Sequence, residues 1–328
     1  MRVFLTGGTG LLGSHLAERL TRSGHEVTAL VRQGSDTVFL ESVGCRLAHG
    51  DVRDTPEVLT PLLEGCTEVV HSAALVYAGG SWPAVREVNV EGTRNVLSAA
   101  VAAGVRRAVH VSSVAVYGRP DGPVNEDSPV DGPVPPSDVY ARSKREAELV
   151  AREVAGDHGL SLSMVRPSAV YGERDRLLAP RVGRLVRYPI TFTLGSGANT
   201  LPTVYAGNVA HALELVLERG ADGDIYDVGL DHPLTQRALL QGIAAGLDRR
   251  VRFVAVPRGL VVGGADLLQA LRIPTPGARD LPLGRVARLA VGENPYPSRR
   301  IRERLDWMPP YRHEEALVQT GRWLRSHK

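Results

Sequence analysis

The sequence predicts an α/β fold in which helices cover both faces of a doubly wound parallel sheet, with a smaller lobe toward the C-terminus. Short β-branched runs alternate with longer helical patterns through the first half of the chain, which is typical of βαβ units. The predicted strands are mostly apolar, as expected of parallel strands buried on both faces. At 328 residues the chain is longer than one core usually supports, so a second lobe is expected.

The alternation can be followed element by element. Strands are predicted where β-branched residues cluster, and helices where apolar residues recur every three or four positions. The stretch 119–137 is rich in proline and can form neither a helix nor a central strand, so we expect a loop that closes over a ligand. Beyond residue 172 the alternation loosens. The predicted strands are 2–7, 25–31, 45–51, 68–73, 106–113, 160–168 and 224–229; the predicted helices are 10–24, 89–104, 139–156 and 172–189, with a strand and then a helix within 203–220.

The composition excludes several classes of protein. Apolar residues make up 43% and charged residues 23% of the chain, an ordinary balance for a soluble domain. The net charge is only +3, which gives no argument for nucleic-acid binding. The apolar run 259–272 is interrupted by Asp266 and is too short to span a bilayer, and the first residues carry no signal-peptide pattern, so we expect a cytoplasmic protein. Cys45 and Cys66 form neither a metal motif nor a disulfide framework, and no metal is expected.

A glycine-rich turn, TGGTGLLG, joins the first predicted strand to the first helix. Gly7 and Gly10 allow a tight turn and a close approach to a pyrophosphate, and Gly13 lets the helix pack near the strand. Leu11 and Leu12 lie at the helix N-terminus, which faces the phosphate charge. Glycines also mark ordinary tight turns, but the strand–turn–helix context favours a dinucleotide site of the Rossmann type.

The end of the second predicted strand indicates which dinucleotide is bound. An NAD site usually has a carboxylate there for the ribose 2′-hydroxyl, whereas this chain has Val31 followed by Arg32. An arginine can bind an adenosine 2′-phosphate through charge-assisted hydrogen bonds, so we expect NADP rather than NAD. The alternative is that Arg32 is a solvated surface residue. Asp51 and Val52, at the end of the third strand, could flank the adenine.

The stretch SDVYARSK places Tyr140 and Lys144 one helical turn apart. Such a pair could simply decorate a solvated face. Alternatively, the ammonium lowers the pKa of the phenol, which at about 10 in free tyrosine is too high for acid–base work near neutrality. Residues at i and i+4 share one helical face, so this electrostatic coupling is geometrically possible.

Together these stretches resemble the extended short-chain dehydrogenase/reductases, the NAD-dependent epimerase/dehydratase superfamily. The resemblance covers 1–230 and implies a Rossmann fold, a nicotinamide cofactor, a small-molecule substrate and a homodimer. The matching motifs occur in family order as TGGTGLLG, GDVRD, VVHSAA, NVEGTRNV, VSSVAVYG, YARSK, RPSAVYG and YAGNVAHA.

The resemblance implies a role for each matched residue. Tyr140 matches the catalytic tyrosine, and Lys144 matches the lysine that lowers the tyrosine pKa and holds the nicotinamide ribose. Ser113 matches the serine that hydrogen-bonds the reacting carbonyl. Asn89 matches the asparagine that helps order the site. The cofactor-binding residues implied by the same motifs also include Ala73, Ala74 and Pro167.

The reaction cannot be read from the fold, because the same residues serve ketone reduction, epimerisation and dehydration. Dehydratases of the family carry an acid after the catalytic serine, where this chain has Val114. Sugar-nucleotide members carry diphosphate-binding residues where this chain has Ala169 and Leu201. YAGNVAHA, with Asn208 in place of aspartate, is similar to the 3β-hydroxysteroid dehydrogenase-like branch. We therefore expect an NAD(P)(H)-dependent oxidoreductase that interconverts a secondary alcohol and a ketone on a mostly apolar, sterol-like or 3-oxoacyl-like substrate.

Two alternatives remain. One is a nucleotide-sugar 4-epimerase or reductase whose diphosphate is held by other arginines, such as Arg184 or Arg285. The other is a cofactor-sensing protein without activity, which the intact catalytic set disfavours. His71 and His110, on predicted buried strands, are expected to be packed or locally hydrogen-bonded, and Ser112 to bond to the backbone.

We expect two lobes built from discontinuous segments. Residues 1–171 and 202–229 would form the NADP-binding Rossmann domain. Residues 172–201 and 230–328 would form the substrate-binding lobe, in which 259–272 closes the cleft. A homodimer is expected to pair the helices near 89–103 and 139–155, because one offers a small-residue face and the other is amphipathic.

Overall fold

The computed structural model describes residues 1–76, 81–118, 120, 122–136, 138–257 and 294–327. Its centre is a sheet of seven parallel strands. These are β1 (Arg2–Thr6), β2 (Glu26–Val31), β3 (Arg46–His49), β4 (Glu68–His71), β5 (Arg107–Val111), β6 (Ser161–Pro167) and, later in the chain, β10 (Ile225–Val228). Their order in the sheet is β3–β2–β1–β4–β5–β6–β10, so the winding direction reverses between β1 and β4. Ligands of open α/β sheets bind at such a switch point, beyond the carboxyl ends of the strands.

Helices cover both faces of this sheet and create two separate apolar cores. Within the described residues, the helices are α1 (Leu11–Arg22), α2 (Val38–Ser42), α3 (Pro56–Leu59), α4 (Trp82–Arg86), α5 (Gly92–Ala102), α6 (Val139–His158), α7 (Leu178–Leu185), α8 (Ala206–Arg219), α9 (Gln236–Gly246), α10 (Arg299–Leu305) and α11 (His313–Ser326). On one face α1 and α8 pack together, through side chains such as Leu16, Leu20 and Leu213. On the other face α5 and α6 pack through Leu97 and Val154.

A third apolar cluster lies away from the sheet, where α7, α9 and α11 pack together. It includes Leu201, Leu240 and Leu317, all of them buried. Two pairs of short parallel strands border this region: β7 (Ala169–Tyr171) with β9 (Thr203–Tyr205), and β8 (Ile190–Leu194) with β11 (Arg252–Val256). The cluster is compatible with the expected second lobe, but the exact division of the chain into two domains stays a prediction.

The sequence-based fold class is confirmed, and each predicted strand and helix has a counterpart that overlaps its expected position. The helix predicted at 172–189 is shorter in the structure, because α7 spans only Leu178–Leu185. The short elements α2, α3, β7, β8 and β11 were not anticipated. They have five residues or fewer, which is too short for a periodic pattern to be recognised. The strands among them gain their hydrogen bonds from segments distant in the chain.

The proline-rich loop is held in place by hydrogen bonds within its described part, 120 and 122–136. The Arg145 guanidinium donates to the carbonyl oxygens of Val116 and Gly132, both at 2.7 Å. The Val124 N–H donates to the Pro295 carbonyl at 3.0 Å. This part of the loop is therefore anchored at both Gly132 and Val124, and its closing over a ligand stays a prediction.

Two of the expectations, Arg285 and the apolar run 259–272, fall outside the described residues. Within the part of the chain that the structure describes, no helix is both long and apolar enough to cross a lipid bilayer.

Candidate active site

The glycine turn lies at the switch point of the sheet, between the end of β1 and the start of α1. Gly7 has a φ of +73°, and a Cβ there would come within 2.8 Å of the Ala73 backbone nitrogen. A Cβ on Gly13 would overlap the Gly7 carbonyl oxygen. A Cβ on Gly10 would approach only that oxygen, at 3.2 Å, so this residue faces open space in front of the helix.

These features fit a pyrophosphate in front of α1. Gly10 is the N-cap of the helix, and no acidic residue lies in its first turn. The first backbone N–H groups of a helix, here those of Leu11 and Leu12, have no intrahelical acceptor and favour an anion. Gly7 and Gly13 therefore shape the turn, while Gly10 keeps the approach to the helix N-terminus clear.

The residues expected near the adenosine lie at the ends of β2 and β3. Arg32 is exposed and makes no ion pair with a described residue, which leaves its guanidinium available for a ligand phosphate. Asp51 is different, because Arg53 donates to both of its carboxylate oxygens, at 3.1 and 2.9 Å. These hydrogen bonds hold the Asp51 pKa below its ordinary value. Val52 is buried next to Gly92.

The residues after β4 lie directly against the glycine turn. The Thr6 hydroxyl oxygen accepts the backbone N–H of Ala73 at 3.1 Å, which fixes this segment to the end of β1. Ala73 and Ala74 are both half-buried. Pro167 ends β6, two strands further along the sheet, and therefore lies at the same carboxyl edge. The structure thus brings the expected cofactor residues to one edge of the sheet.

Ser113 lies just beyond β5 and is largely buried. It is the N-cap of a short 3₁₀ turn, and its hydroxyl oxygen accepts the Ala115 N–H at 3.2 Å. The hydroxyl proton makes no bond to a described residue, so it can be donated to a substrate carbonyl. The following residue, Val114, packs against Tyr296 in a small apolar cluster and offers no acid for a dehydration.

Tyr140 and Lys144 lie on the first turns of α6, on the face toward the sheet, and both are buried. The Lys144 ammonium donates a hydrogen bond to the Val111 carbonyl oxygen at 2.8 Å. This bond holds the ammonium at the end of β5, two residues before Ser113. Tyr140 packs in a small cluster with Ala115. The interpretation of this pair as a decorated surface is therefore wrong, because neither side chain is on a solvated face.

Burial lowers the pKa of Lys144 to about 8, and the negative charge of Glu148 acts in the opposite direction. An ammonium in this environment is a strong electrostatic neighbour, because water screens it poorly. A buried positive charge of this kind favours the phenolate form of a nearby tyrosine.

Asn89 is also buried, within a π-helical turn (Glu87–Glu91) that precedes α5. Its side-chain oxygen accepts the Leu75 N–H at 2.7 Å. Its amide donates to the Leu75 carbonyl at 3.1 Å and to the Ser143 hydroxyl at 2.9 Å. Asn89 thus ties the segment after β4 to α6, which is a positioning role; such turns often occur at functional sites.

One residue of the site was missed by the sequence analysis. Glu148, one turn beyond Lys144, is almost completely buried. It accepts two hydrogen bonds from Arg166, each 2.7 Å long, and one from the Ser112 hydroxyl at 2.7 Å. Burial favours the neutral acid, but Arg166 and Ser112 outweigh it and hold the Glu148 pKa below its ordinary value. The expected backbone bond of the Ser112 side chain is therefore wrong; its partner is this carboxylate.

Glu148 could have been suspected from the sequence, since a charged residue on the inner face of an amphipathic helix requires a buried partner. The partner itself could not, because Arg166 belongs to β6. The network continues from Arg166 to the Tyr117 hydroxyl at 2.8 Å, and Tyr117 donates to Asp227 on β10 at 2.7 Å. Burial raises the pKa of Asp227 to about 7, and the nearby Glu126 adds to this effect.

The two strand histidines behave differently from each other. The ring nitrogens of His71 bond to the hydroxyls of Thr6 and Thr93, at 2.8 and 3.0 Å. His110 stacks on His71 at 5.5 Å between ring centroids, and neither of its nitrogens has a hydrogen-bond partner among the described residues. Burial lowers the pKa of both, to about 3 for His71, so both are neutral and packed.

Arg184, the suggested alternative anchor for a diphosphate, lies elsewhere. It lines a cleft of about 480 Å³ between α7 and the C-terminal parts of α9 and α11. The cleft is also lined by Arg187, Arg249 and Trp323, and by no residue of the glycine turn or of α6. The structure therefore does not bring Arg184 together with the catalytic residues.

The fold and this constellation are those of a nicotinamide-dependent enzyme of the extended short-chain type. The chain belongs to the NAD dependent epimerase/dehydratase family, whose sequence profile matches residues 3–229. That span includes all the candidate catalytic and cofactor-binding residues.

Several relatives are named as reductases or as sterol enzymes. The 4-hydroxy-2-methyl-3-oxo-4-farnesyl-3,4-dihydroquinoline-1-oxide ketoreductase of Stigmatella aurantiaca is 32% identical, with 75% of each chain covered. The 2-alkyl-3-oxoalkanoate reductase of Stenotrophomonas maltophilia is 31% identical, covering 75% of this chain and 76% of the relative. Sterol demethylase protein B of Methylococcus capsulatus is 32% identical, covering 83% and 82%.

A solved structure extends the likeness to the whole chain. A double mutant of the dTDP-glucose 4,6-dehydratase DesIV from Streptomyces venezuelae, with NAD bound, superposes with a TM-score of 0.73 at 28% identity. The match covers 100% of this chain and 98% of DesIV. The protein is accordingly an NAD(P)-dependent oxidoreductase of this family.

Proposed function

We propose that the protein is an NADP(H)-dependent reductase and dehydrogenase that interconverts a ketone and a secondary alcohol on a mostly apolar substrate. The observation that carries the proposal is the buried pair Tyr140–Lys144, placed with Ser113 at the carboxyl edge of the sheet. The dinucleotide supplies or accepts the hydride.

The chain's own residues handle the substrate oxygen. Ser113 donates a hydrogen bond to the carbonyl oxygen and so orients the ketone. Tyr140 donates its phenolic proton to the oxygen as negative charge develops there, and takes a proton back when an alcohol is oxidised. Lys144 remains charged and stabilises the phenolate that is left. Asn89 has a positioning role: its side chain holds α6 against the segment after β4.

The preference for NADP rests on Arg32. Its exposed guanidinium follows β2, where an NAD site would have a carboxylate. It forms no ion pair with a described residue, although the Asp51 carboxylate lies near enough to feel its charge, and a 2′-phosphate would form a charge-assisted pair with it.

The preference for an apolar substrate rests on two positions. Ala169 is exposed and carries only a methyl group, so it offers no donor to a diphosphate. Leu201 is buried in the third apolar cluster and supports the packing of that region instead of binding an anion. The named substrates of the three relatives, a farnesylated quinoline, an alkylated 3-oxoalkanoate and a sterol, support the same choice.

A nucleotide-sugar epimerase or reductase is the second candidate, because DesIV matches the full chain and acts on dTDP-glucose. Binding its diphosphate would require donors other than those at Ala169 and Leu201. Each charge-assisted hydrogen bond lost would cost about 1.5–3 kcal/mol, which disfavours this reading.

The test measures turnover of a 3-oxoacyl ester and a 3-ketosteroid with NADPH and with NADH. Thermal shifts with UDP-, dTDP- and GDP-sugars are measured in parallel. We expect turnover of at least one apolar ketone and no shift with any nucleotide sugar. Micromolar binding of a nucleotide sugar, together with no reduction of the ketones, would reverse the choice in favour of the epimerase.

A further inference from the structure

The edge of the sheet opposite the catalytic residues contains a cluster of potential metal ligands. His25 lies in the turn between α1 and β2, at the amino ends of the strands. Glu214 and Glu218 are one turn apart on α8, which packs along α1. One ligand atom from each of the three side chains lies within 4.8 Å of the others.

Two of these ligand atoms are buried without a partner. The Glu214 side chain is only 4% exposed. Arg19 holds one of its carboxylate oxygens, Oε2, while Oε1 has no hydrogen-bond partner among the described residues. The Nε2 atom of His25 is also buried and unbonded. Leaving a buried carboxylate oxygen unpaired is costly, so Glu214 Oε1 calls for a further partner besides Arg19.

We propose that His25, Glu214 and Glu218 bind a divalent cation of the zinc type, with water completing its coordination. One imidazole and two carboxylates suit Zn²⁺ and its transition-metal neighbours, whereas Mg²⁺ and Ca²⁺ prefer oxygen ligands throughout. The Nδ1 atom of His25 is 3.2 Å from the Met1 amino group, which leaves Nε2 to face the ion. Arg19 fixes the Glu214 carboxylate and directs its free oxygen, as residues behind metal ligands commonly do.

A protonated His25 paired with Glu218 is the competing explanation. These two side chains are 3.5 Å apart, so the ion pair would account for both of them. The His25–Glu218 ion pair leaves the unbonded Oε1 of Glu214 unexplained. A cation between the three side chains accounts for His25, Glu214 and Glu218 together. The ion would join the α1–β2 turn to α8 and stabilise the fold without touching the catalytic edge.

The test uses the full-length chain without a histidine tag, stripped with a chelator and titrated with ZnCl₂ in a calorimeter. We expect one ion per chain and a higher melting temperature with zinc, because a ligand that binds only the folded state stabilises it. His25→Gln and Glu218→Gln should each weaken zinc binding by at least tenfold. Even residues that only hydrogen-bond to metal ligands typically change affinity by roughly 10–100-fold.

Glu218 is the safer carboxylate to change, because its side chain is 32% exposed and removing it buries no unpaired charge. The matched controls are His49→Gln and Glu41→Gln, which change exposed residues elsewhere and should bind zinc as the wild type does. Absence of zinc binding by the wild type would overturn the proposal, and so would unchanged binding by His25→Gln and Glu218→Gln. The readout is the metal itself, so the result is independent of the proposed activity.

Discussion

At the scale of single residues, Lys144 shows how burial prepares a side chain for catalysis. Burial and Glu148 act in opposite directions on its pKa, which lies at about 8. The ammonium is therefore still mostly protonated at neutral pH, in a position where water screens it poorly. Tyr140 lies on the preceding turn of the same helix, and its coupling to this charge is part of the proposed mechanism.

Replacing Tyr140 with Phe should lower turnover by about 10²–10⁴-fold, because the proton donor is lost. Cofactor affinity should change little, since the ring and its packing remain. Steady-state kinetics and a cofactor titration measure the two effects. Tyr188→Phe, which removes the hydroxyl of a 66%-exposed tyrosine, is the control. Turnover of Tyr140→Phe within tenfold of the wild type would refute the assigned role.

Glu148→Gln tests the electrostatic role of the missed carboxylate. Removing a negative charge lowers the pKa of nearby groups, so the tyrosine–lysine pair should lose its first proton at lower pH. We expect the alkaline limb of the kcat/KM–pH profile to move to lower pH. The control is Glu146→Gln on the same helix, whose partner is Arg142. A purely structural role would lower kcat/KM at every pH without moving the limb.

Arg32→Ala tests the choice of cofactor. A charge-assisted contact is worth about 1.5–3 kcal/mol, so the NADPH preference in kcat/KM should fall by roughly ten- to a hundredfold. The control is Arg46→Ala, which removes an exposed arginine at the amino end of β3, away from the carboxyl edge. An unchanged NADPH-to-NADH ratio in Arg32→Ala would exclude the 2′-phosphate contact.

At the scale of elements, a buried polar network joins α6, β6, the turn after β5 and β10. It passes from Glu148 through Arg166 and Tyr117 to Asp227. Tyr117 also reaches the proline-rich loop, with its hydroxyl 3.0 Å from the Asn125 carbonyl oxygen. The network therefore couples the strand ends that carry Ser113 and Pro167 to the proline-rich loop.

Asp227 should make stability depend on pH. Its pKa is about 7 in the folded chain and 3.8 for an ordinary aspartate. The folded state therefore favours the protonated acid, so the stabilisation is fully present below pH 4 and is lost as pH rises toward 7. Asp227→Asn should remove this decline and flatten the melting temperature between pH 5 and 8 relative to the wild type.

The control is Asp222→Asn, which changes a carboxylate near the surface, and thermal melts across the pH range measure both variants. The same slope in wild type and Asp227→Asn would show that Asp227 is ionised throughout. Its pKa would then be set by Arg166 and not by burial.

At the scale of the whole molecule, the surface of α5 and α6 is a candidate interface between two copies of the chain. The helices pack together and carry the ion pair Arg94–Glu153 at 3.0 Å. Leu149, on α6, is 62% exposed and so offers an apolar side chain to a second copy. We expect a symmetric dimer that buries this residue.

Light scattering should give a mass of about twice 35.3 kDa for the wild type. Leu149→Glu should shift the protein to the monomer, since a charge buried at a symmetric interface meets its own copy. The control is Val38→Glu, which charges a residue that is 73% exposed on α2. A monomeric wild type at micromolar concentration would contradict the dimer.

The sequence by itself determined the order of the elements, the glycine turn and the pairing of Tyr140 with Lys144. These features depend on residues close together in the chain, where periodicity and turn chemistry act directly. Glycines at 7, 10 and 13 have nearly the same geometry wherever a strand leads into a helix in this way. A tyrosine and a lysine four positions apart always share one face of a helix.

Only the tertiary structure decided which residues face one another across elements. Glu148 meets Arg166 because α6 lies on β6, and His25 meets Glu214 because α8 lies along α1. No spacing in the sequence predicts these contacts. The expectation that the chain binds no metal was therefore based only on local motifs. Burial has the same origin: the pKa of Lys144, and the neutrality of His71 and His110, follow from how completely the packed sheet and helices exclude water.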